Sequence, residues 1–320
     1  MPDYTILYDE PQEAAWFRRL HPALLSAKEE AITVAQNWPS VQGVLAYDRP
    51  DIILLDGDVP ILVVEETVEV PSGHNVGQRF ARIAAAAEAG VPALYFGPYV
   101  ARKHGGATAG PRFMNIRLFH SLDAMERTTS TAITTICWPV DDHCEVRRDQ
   151  NKDKDVREYI ETFLKLYSSL RQLPLVNKAL LQSSIHARMI AERLTFIQTR
   201  IRNPQQYDGP PDSVEFMTTT EIRMRHSLPA GVLNGVSDVV LYNVGMNYIR
   251  SDPYTGMAML YRYLYIAEHP SRALVLWFPN ISFAMWRTAA SNGRRKDIRL
   301  FRIAGDAILF SDQLVPRSGL

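Results

Sequence analysis

Between Asp48 and Glu69 the apolar residues gather into two short runs, 52–55 and 61–64, rich in β-branched side chains and parted by Asp56-Gly57-Asp58-Val59-Pro60. This pattern predicts a strand, a tight turn and a second strand. A turn centred near Asp58 sets Asp51 across from Glu65, because antiparallel partners are equidistant from the turn and opposed residues share a face of the sheet. Thr67 and Glu69 continue that face at period two. Val64, Glu66, Val68 and Val70 point the other way, a mostly apolar set suited to packing on a helix. Around the hairpin, helical spacing of apolar residues predicts helices over 10–20 and 23–38, broken at Pro22, and over 75–89, ended by Gly90. Strands are predicted at 41–47 and 92–99, so the order is helix, three strands, helix, strand.

Further along, 116–118 and 134–138 read as strands and 145–155 is a run of alternating charges. That run marks a boundary between regions 1–150 and 151–320. Beyond it the pattern predicts helices over 156–173 and 175–202, then a mixed α/β region. There strands are expected at 214–222, 236–244, 273–278 and 298–303, and a helix over 255–267. No internal repeat or heptad pattern stands out.

Composition narrows the classes. With 46% hydrophobic and 22% charged residues in 320, the chain reads as a globular protein with ample core. Lysine plus arginine equals aspartate plus glutamate at 35 each, so any nucleic-acid surface must be a local basic patch. Two cysteines exclude a disulfide framework and point to a reducing, cytoplasmic setting. No signal peptide is expected at the start, and no apolar run approaches the ~20 residues of a membrane span. Cys137, His143 and Cys144 lack zinc-site spacing and fit ordinary packing better. Two basic segments are candidate phosphate contacts: the glycine-rich stretch with Arg102, Lys103 and Arg112, and the turn with Arg294, Arg295 and Lys296.

Two carboxylates side by side at the end of a buried hairpin repel each other, and a bridging divalent cation removes that cost. At these residues the chain resembles the PD-(D/E)xK nuclease superfamily, which includes many type II restriction endonucleases. Pro50-Asp51 looks like the first element and Glu65 like the acid of the second; Thr67 stands where the family usually has lysine. The resemblance implies a restriction-endonuclease-like αβββαβ core, a mixed sheet flanked by helices, followed by the mixed α/β region. It implies Mg²⁺ held by Asp51, Glu65 and the backbone carbonyl of Glu66, with Thr67, Glu69 or Lys103 assisting the attacking water. Glu13, Glu29 and Glu30 are candidates for the family's further helix acid. Gln78, Arg79 and Arg82, on the helix after the hairpin, are expected to face the DNA cleft.

The function so implied is hydrolysis of double-stranded DNA by a bacterial or archaeal homodimer, without membrane association. The C-terminal half would supply target recognition or dimer contacts. Two alternatives stand beside it: a degenerate nuclease-fold protein that only binds DNA, favoured by Thr67, and an interaction protein whose hairpin carboxylates are solvated.

Overall fold

The computed structural model of the protein describes residues 3–33, 38–71, 75–105, 109–228, 231, 233–245, 254–291 and 296–320. The hairpin forms where the apolar alternation demands it, as β3 (Ile52–Asp56) and β4 (Val59–Glu66), joined by a two-residue turn in which Gly57 takes φ +57°. The turn is one residue tighter than expected. Asp56 pairs with Val59 and Leu55 with Pro60, then Leu54 pairs with Leu62, leaving Ile61 as an extra, unpaired residue. This bulge restores the expected register: Ile52 faces Val64, and Asp51 and Glu65 follow as the next positions.

The hairpin belongs to a six-stranded mixed sheet. Its other strands are β1 (Tyr4–Tyr8), β2 (Lys28–Ala31), β5 (Ala93–Gly97) and β8 (Ile133–Cys137). The order is β2-β1-β3-β4-β5-β8. Three neighbouring pairs are parallel: β2 with β1, β4 with β5, and β5 with β8. The third strand beside the hairpin is therefore β1, not the predicted segment 41–47. That segment forms a 3-10 turn (Pro39–Gln42) and further turns, because Val41, Val44 and Tyr47 are buried three apart rather than in alternation. The predicted helix over 23–38 is also replaced by a 3-10 turn (Pro22–Leu24) and the edge strand β2, with 34–37 outside the described residues.

One face of this sheet carries the main core. Ile52, Leu54, Leu62 and Val64 pack with Trp16 and Phe17 of α1 (Pro11–Arg18) and with Tyr159, Ile160 and Phe163 of α4 (Lys154–Leu170). Val64 thus meets the helix expected of that face. α2 (Asn75–Glu88) buries Ala84, Ala85, Ala86 and Ala87, small side chains that permit close approach. The segment expected to be a loop at 102–112 is a β-ribbon, β6 (Val100–Lys103) against β7 (Gly110–Phe113). The segment 116–118, expected as a strand, opens α3 (Ile116–Thr129), whose buried Leu118, Phe119, Leu122 and Met125 recur at helical spacing. The predicted helix 175–202 is two helices, α5 (Leu173–Leu181) and α6 (Ser184–Arg200). Ser183 caps the second by accepting the His186 N–H.

By contacts the chain divides into two units. The first comprises Met1–Gly73, Ala81–Asn115 and Met125–Arg202; the second comprises His74–Phe80, Ile116–Ala124 and Asn203–Leu320. The charged run at 145–155 is not where they part: α4, α5 and α6 belong to the first.

The second unit is built on a five-stranded sheet. Its strands, in spatial order, are β13 (Leu314–Pro316), β12 (Ala307–Leu309), β11 (Arg272–Trp277), β10 (Asp238–Asn243) and β9 (Val214–Thr218). Its helices are α7 (Thr219–Arg225), α8 (Tyr254–Tyr265), α9 (Phe283–Ala290) and α10 (Lys296–Ala304), the last where a strand was expected at 298–303. An antiparallel pair, β9 with β10, leads into two parallel pairings, β10 with β11 and β11 with β12. The run β3-β4-β5-β8 in the first unit follows the same plan. The protein is thus a mixed α/β chain in which one strand plan occurs twice, a repetition invisible as sequence identity.

Gly97 ends β5 in a tight place. A Cβ there would lie 2.5 Å from the Tyr95 hydroxyl and 2.7 Å from Thr67 Cγ2. Gly97→Ala is expected to lower stability by about 1–3 kcal/mol, the usual cost of overpacking. Urea denaturation checks this, and an unchanged midpoint refutes it.

Candidate functional site

The hairpin register and α2 together build the site. Asp51, one residue before β3, and Glu65, on β4, are both buried and aim at the guanidinium of Arg82. Arg82 Nη1 donates to Asp51 Oδ1 at 3.0 Å and to Glu65 Oε1 and Oε2 at 2.8 and 3.2 Å. Its Nε lies 3.5 Å from Asp48 Oδ2. The second Asp51 oxygen accepts the Glu66 backbone N–H at 2.6 Å, which locks the aspartate against the neighbouring strand. Burial alone would lower the Arg82 guanidinium; the fields of Glu65, Asp48 and Asp51 outweigh it and hold the group above its usual value. Asp51 and Glu65 share a face, as the spacing predicts, and the cationic group between them is an arginine of the same chain.

The rest of the expected set is scattered. Thr67 is buried beyond the end of β4, its hydroxyl accepting the Glu69 N–H at 3.1 Å and lying 3.3 Å from the Glu69 carbonyl. Glu69 is exposed past that bend and does not continue the acid face. The Glu66 side chain leaves on the opposite face. Lys103 and Arg102 are exposed on the β6–β7 ribbon, with Arg102 Nε 3.9 Å from Glu145 and His104 at 2.7 Å from the same carboxylate. Arg112 and Arg79 are half-buried, and Arg79 falls within the second unit. Arg294, Arg295 and the side chains of Gln78 and Lys296 lie outside the described residues. Of the candidate helix acids, Glu29 is 3.0 Å from Arg18. Glu13 accepts the Glu10 N–H at 2.9 Å, capping α1. Burial raises the Glu13 carboxyl; the Glu10 N–H bond opposes this, and the charges of Asp9, Glu65 and Glu10 add to it.

No known family, curated protein or solved structure matches the chain. The donor set therefore has to be judged on its own chemistry. Among the described residues, no three His, Cys, Asp or Glu side chains group as a metal site. Two carboxylates nevertheless converge on one cationic nitrogen, and hard oxygen donors of this kind suit Mg²⁺. In the second unit the positions that follow the last β9–β10 pairing are Ser213 and Asn243, so no acid pair recurs there. Glu221, the acid that follows β9, caps α7 by accepting the Thr218 N–H at 2.6 Å.

Sequence reasoning missed Lys152. It lies in the charged run that reads as a boundary, yet its ammonium sits 4.2 Å from the Trp138 ring centroid, 5.2 Å from Trp16 and 5.5 Å from Phe96. Asp153 is 2.8 Å away and Glu66 3.9 Å. Lys152, Trp16, Trp138 and Glu66 line a cavity of about 290 Å³ together with Glu13 and Arg148. Burial pushes the Glu66 carboxyl up to about 7 from 4.5; Lys152 opposes the rise, and Glu13 and Asp153 add to it. The folded chain therefore holds this proton more tightly than the unfolded one. The resulting stability is complete below pH 4.5 and lost as pH rises to about 7. The loss should amount to about 2–3 kcal/mol. Glu66→Gln should flatten that slope in thermal melts between pH 5 and 8; an identical slope refutes the assignment.

Proposed function

We propose that the protein is a Mg²⁺-dependent endonuclease of the PD-(D/E)xK kind, cutting double-stranded DNA as a type II restriction enzyme does. The observation that carries this reading is the convergence of Asp51 and Glu65 on one cationic nitrogen at the end of the hairpin. Further support comes from the strand plan around it: an antiparallel pair feeding a parallel strand through α2, as in a restriction-endonuclease-like core.

In this reading Asp51 and Glu65 hold the metal, with the backbone carbonyl of Glu66 alongside. Bound there, Mg²⁺ supplies a Lewis acid and a coordinated water of lowered pKa. The Asp51 carboxylate is oriented by the Glu66 N–H, and Glu65 by its place in the buried strand. The exposed ribbon carrying Arg102, Lys103 and Arg112 offers charge to the phosphate backbone. Among the described residues no helix is long and apolar enough to cross a membrane. A homodimer, which places one acid pair on each strand, completes the proposal.

A second reading keeps the DNA and drops the hydrolysis. It is favoured by the Thr67 hydroxyl, tied to Glu69, and by Arg82 in the cation position. Incubating plasmid DNA with Mg²⁺ and then with Ca²⁺ separates the two. Nicks or breaks in Mg²⁺ that EDTA abolishes are expected. Salt-sensitive binding without breaks in either ion supports the second reading, and no binding at low salt overturns both.

A further inference from the structure

The lysine absent at position 67 leaves the endonuclease reading, on which this inference rests, without its usual second cation. Lys103 stands on the exposed ribbon, and Thr67 is spent on the Glu69 backbone. Arg82, by contrast, touches both acids, and its side chain is only 12% exposed. Three carboxylates, Asp48, Asp51 and Glu65, surround this one guanidinium. The contact distances make this guanidinium and a divalent ion mutually exclusive. Arg82 Nη1 holds Asp51 Oδ1 and Glu65 Oε1 at 3.0 and 2.8 Å. A magnesium ion draws its oxygens to about 2.0–2.1 Å and needs the same lone pairs. Arginine rides on a flexible stem, so the guanidinium can withdraw without moving α2.

We propose that Arg82 is the resident cation of the acid pair. It holds Asp51 and Glu65 together before a divalent ion binds and yields those oxygens to the ion. It then turns its charge to the scissile phosphate in place of the missing lysine. A guanidinium stays protonated, so its part is electrostatic and the base must be sought elsewhere.

This role predicts effects of opposite sign in one variant. Calcium titration by calorimetry reads binding without hydrolysis, and cleavage at saturating Mg²⁺ reads the reaction. Arg82→Gln should bind Ca²⁺ about tenfold more tightly, the loss of one charge-assisted competitor. It should cut about a hundredfold more slowly, the usual loss when one electrostatic stabiliser is removed. Arg82→Lys should fall between wild type and Arg82→Gln in both measurements, and it decides the matter if the glutamine variant does not fold. A merely structural arginine predicts weaker binding and slower cutting together, and that result overturns the proposal. So does wild-type cutting in either variant. A wild-type protein whose Ca²⁺ binding and cutting survive Glu65→Gln unchanged overturns the endonuclease reading itself, and this assignment with it.

Discussion

Glu65→Gln should cut DNA about a thousandfold more slowly than wild type in Mg²⁺, the several kcal/mol that a Lewis-acid cation contributes to the barrier. The substitution keeps the shape of a fully buried side chain and leaves an amide oxygen facing Arg82 Nη1. What disappears is the negative charge, so metal affinity falls while the hairpin stays folded. The cost in stability should be only about 1–3 kcal/mol, the worth of a charge-assisted bond, small enough for the variant to be purified and assayed. Asp51→Asn should behave alike, because Asp51 meets the same nitrogen and is fixed by the Glu66 N–H. Supercoiled plasmid relaxation over time gives the rates. Cutting within tenfold of wild type in both variants ends the endonuclease assignment.

The largest expected loss of stability lies on the other face. Phe96 is fully buried and stacks on Trp138 at 4.6 Å between centroids and on Trp16 at 5.8 Å, with planes 11° and 5° apart. It also lies beneath Lys152. Phe96→Ala should cost about 3–5 kcal/mol through lost burial and the cavity left behind, a large share of a typical domain's stability. Trp16 and Trp138 report the event directly, so urea unfolding followed by tryptophan fluorescence is the measurement. A loss under about 1 kcal/mol would mean that the stack does not act as core.

The hairpin could be read from sequence because two local signals coincide there, β-branched alternation and an Asp-Gly turn. The acid pair followed from them. The strand β1 was missed although Tyr4, Thr5, Ile6 and Tyr8 favour extended backbone; its five residues are short for a pattern, and its place between β2 and β3 comes only with the fold. In α10, Ile298 and Leu300 alternate like a strand, yet Phe301 and Ala304 are buried too, the helical spacing that a six-residue window hides. The environment of Lys152 was out of reach for a different reason. Trp16 Nε1 bonds Asp153 across 137 positions of chain, a pairing that only the folded sheet creates. For Arg82 the resemblance implied a side chain facing DNA, and nothing in the sequence marked it as the partner of both acids.

The bulge at Ile61 carries a lesson in parity. A ladder closed by a two-residue turn pairs positions separated by odd numbers, as with Asp56 and Val59. Asp51 and Glu65 are separated by an even number, so no regular ladder with that turn can set them opposite. Their meeting requires one residue counted on one side only. Removing Ile61 should therefore spare the meeting of the two acids, because a separation that has become odd fits the regular ladder.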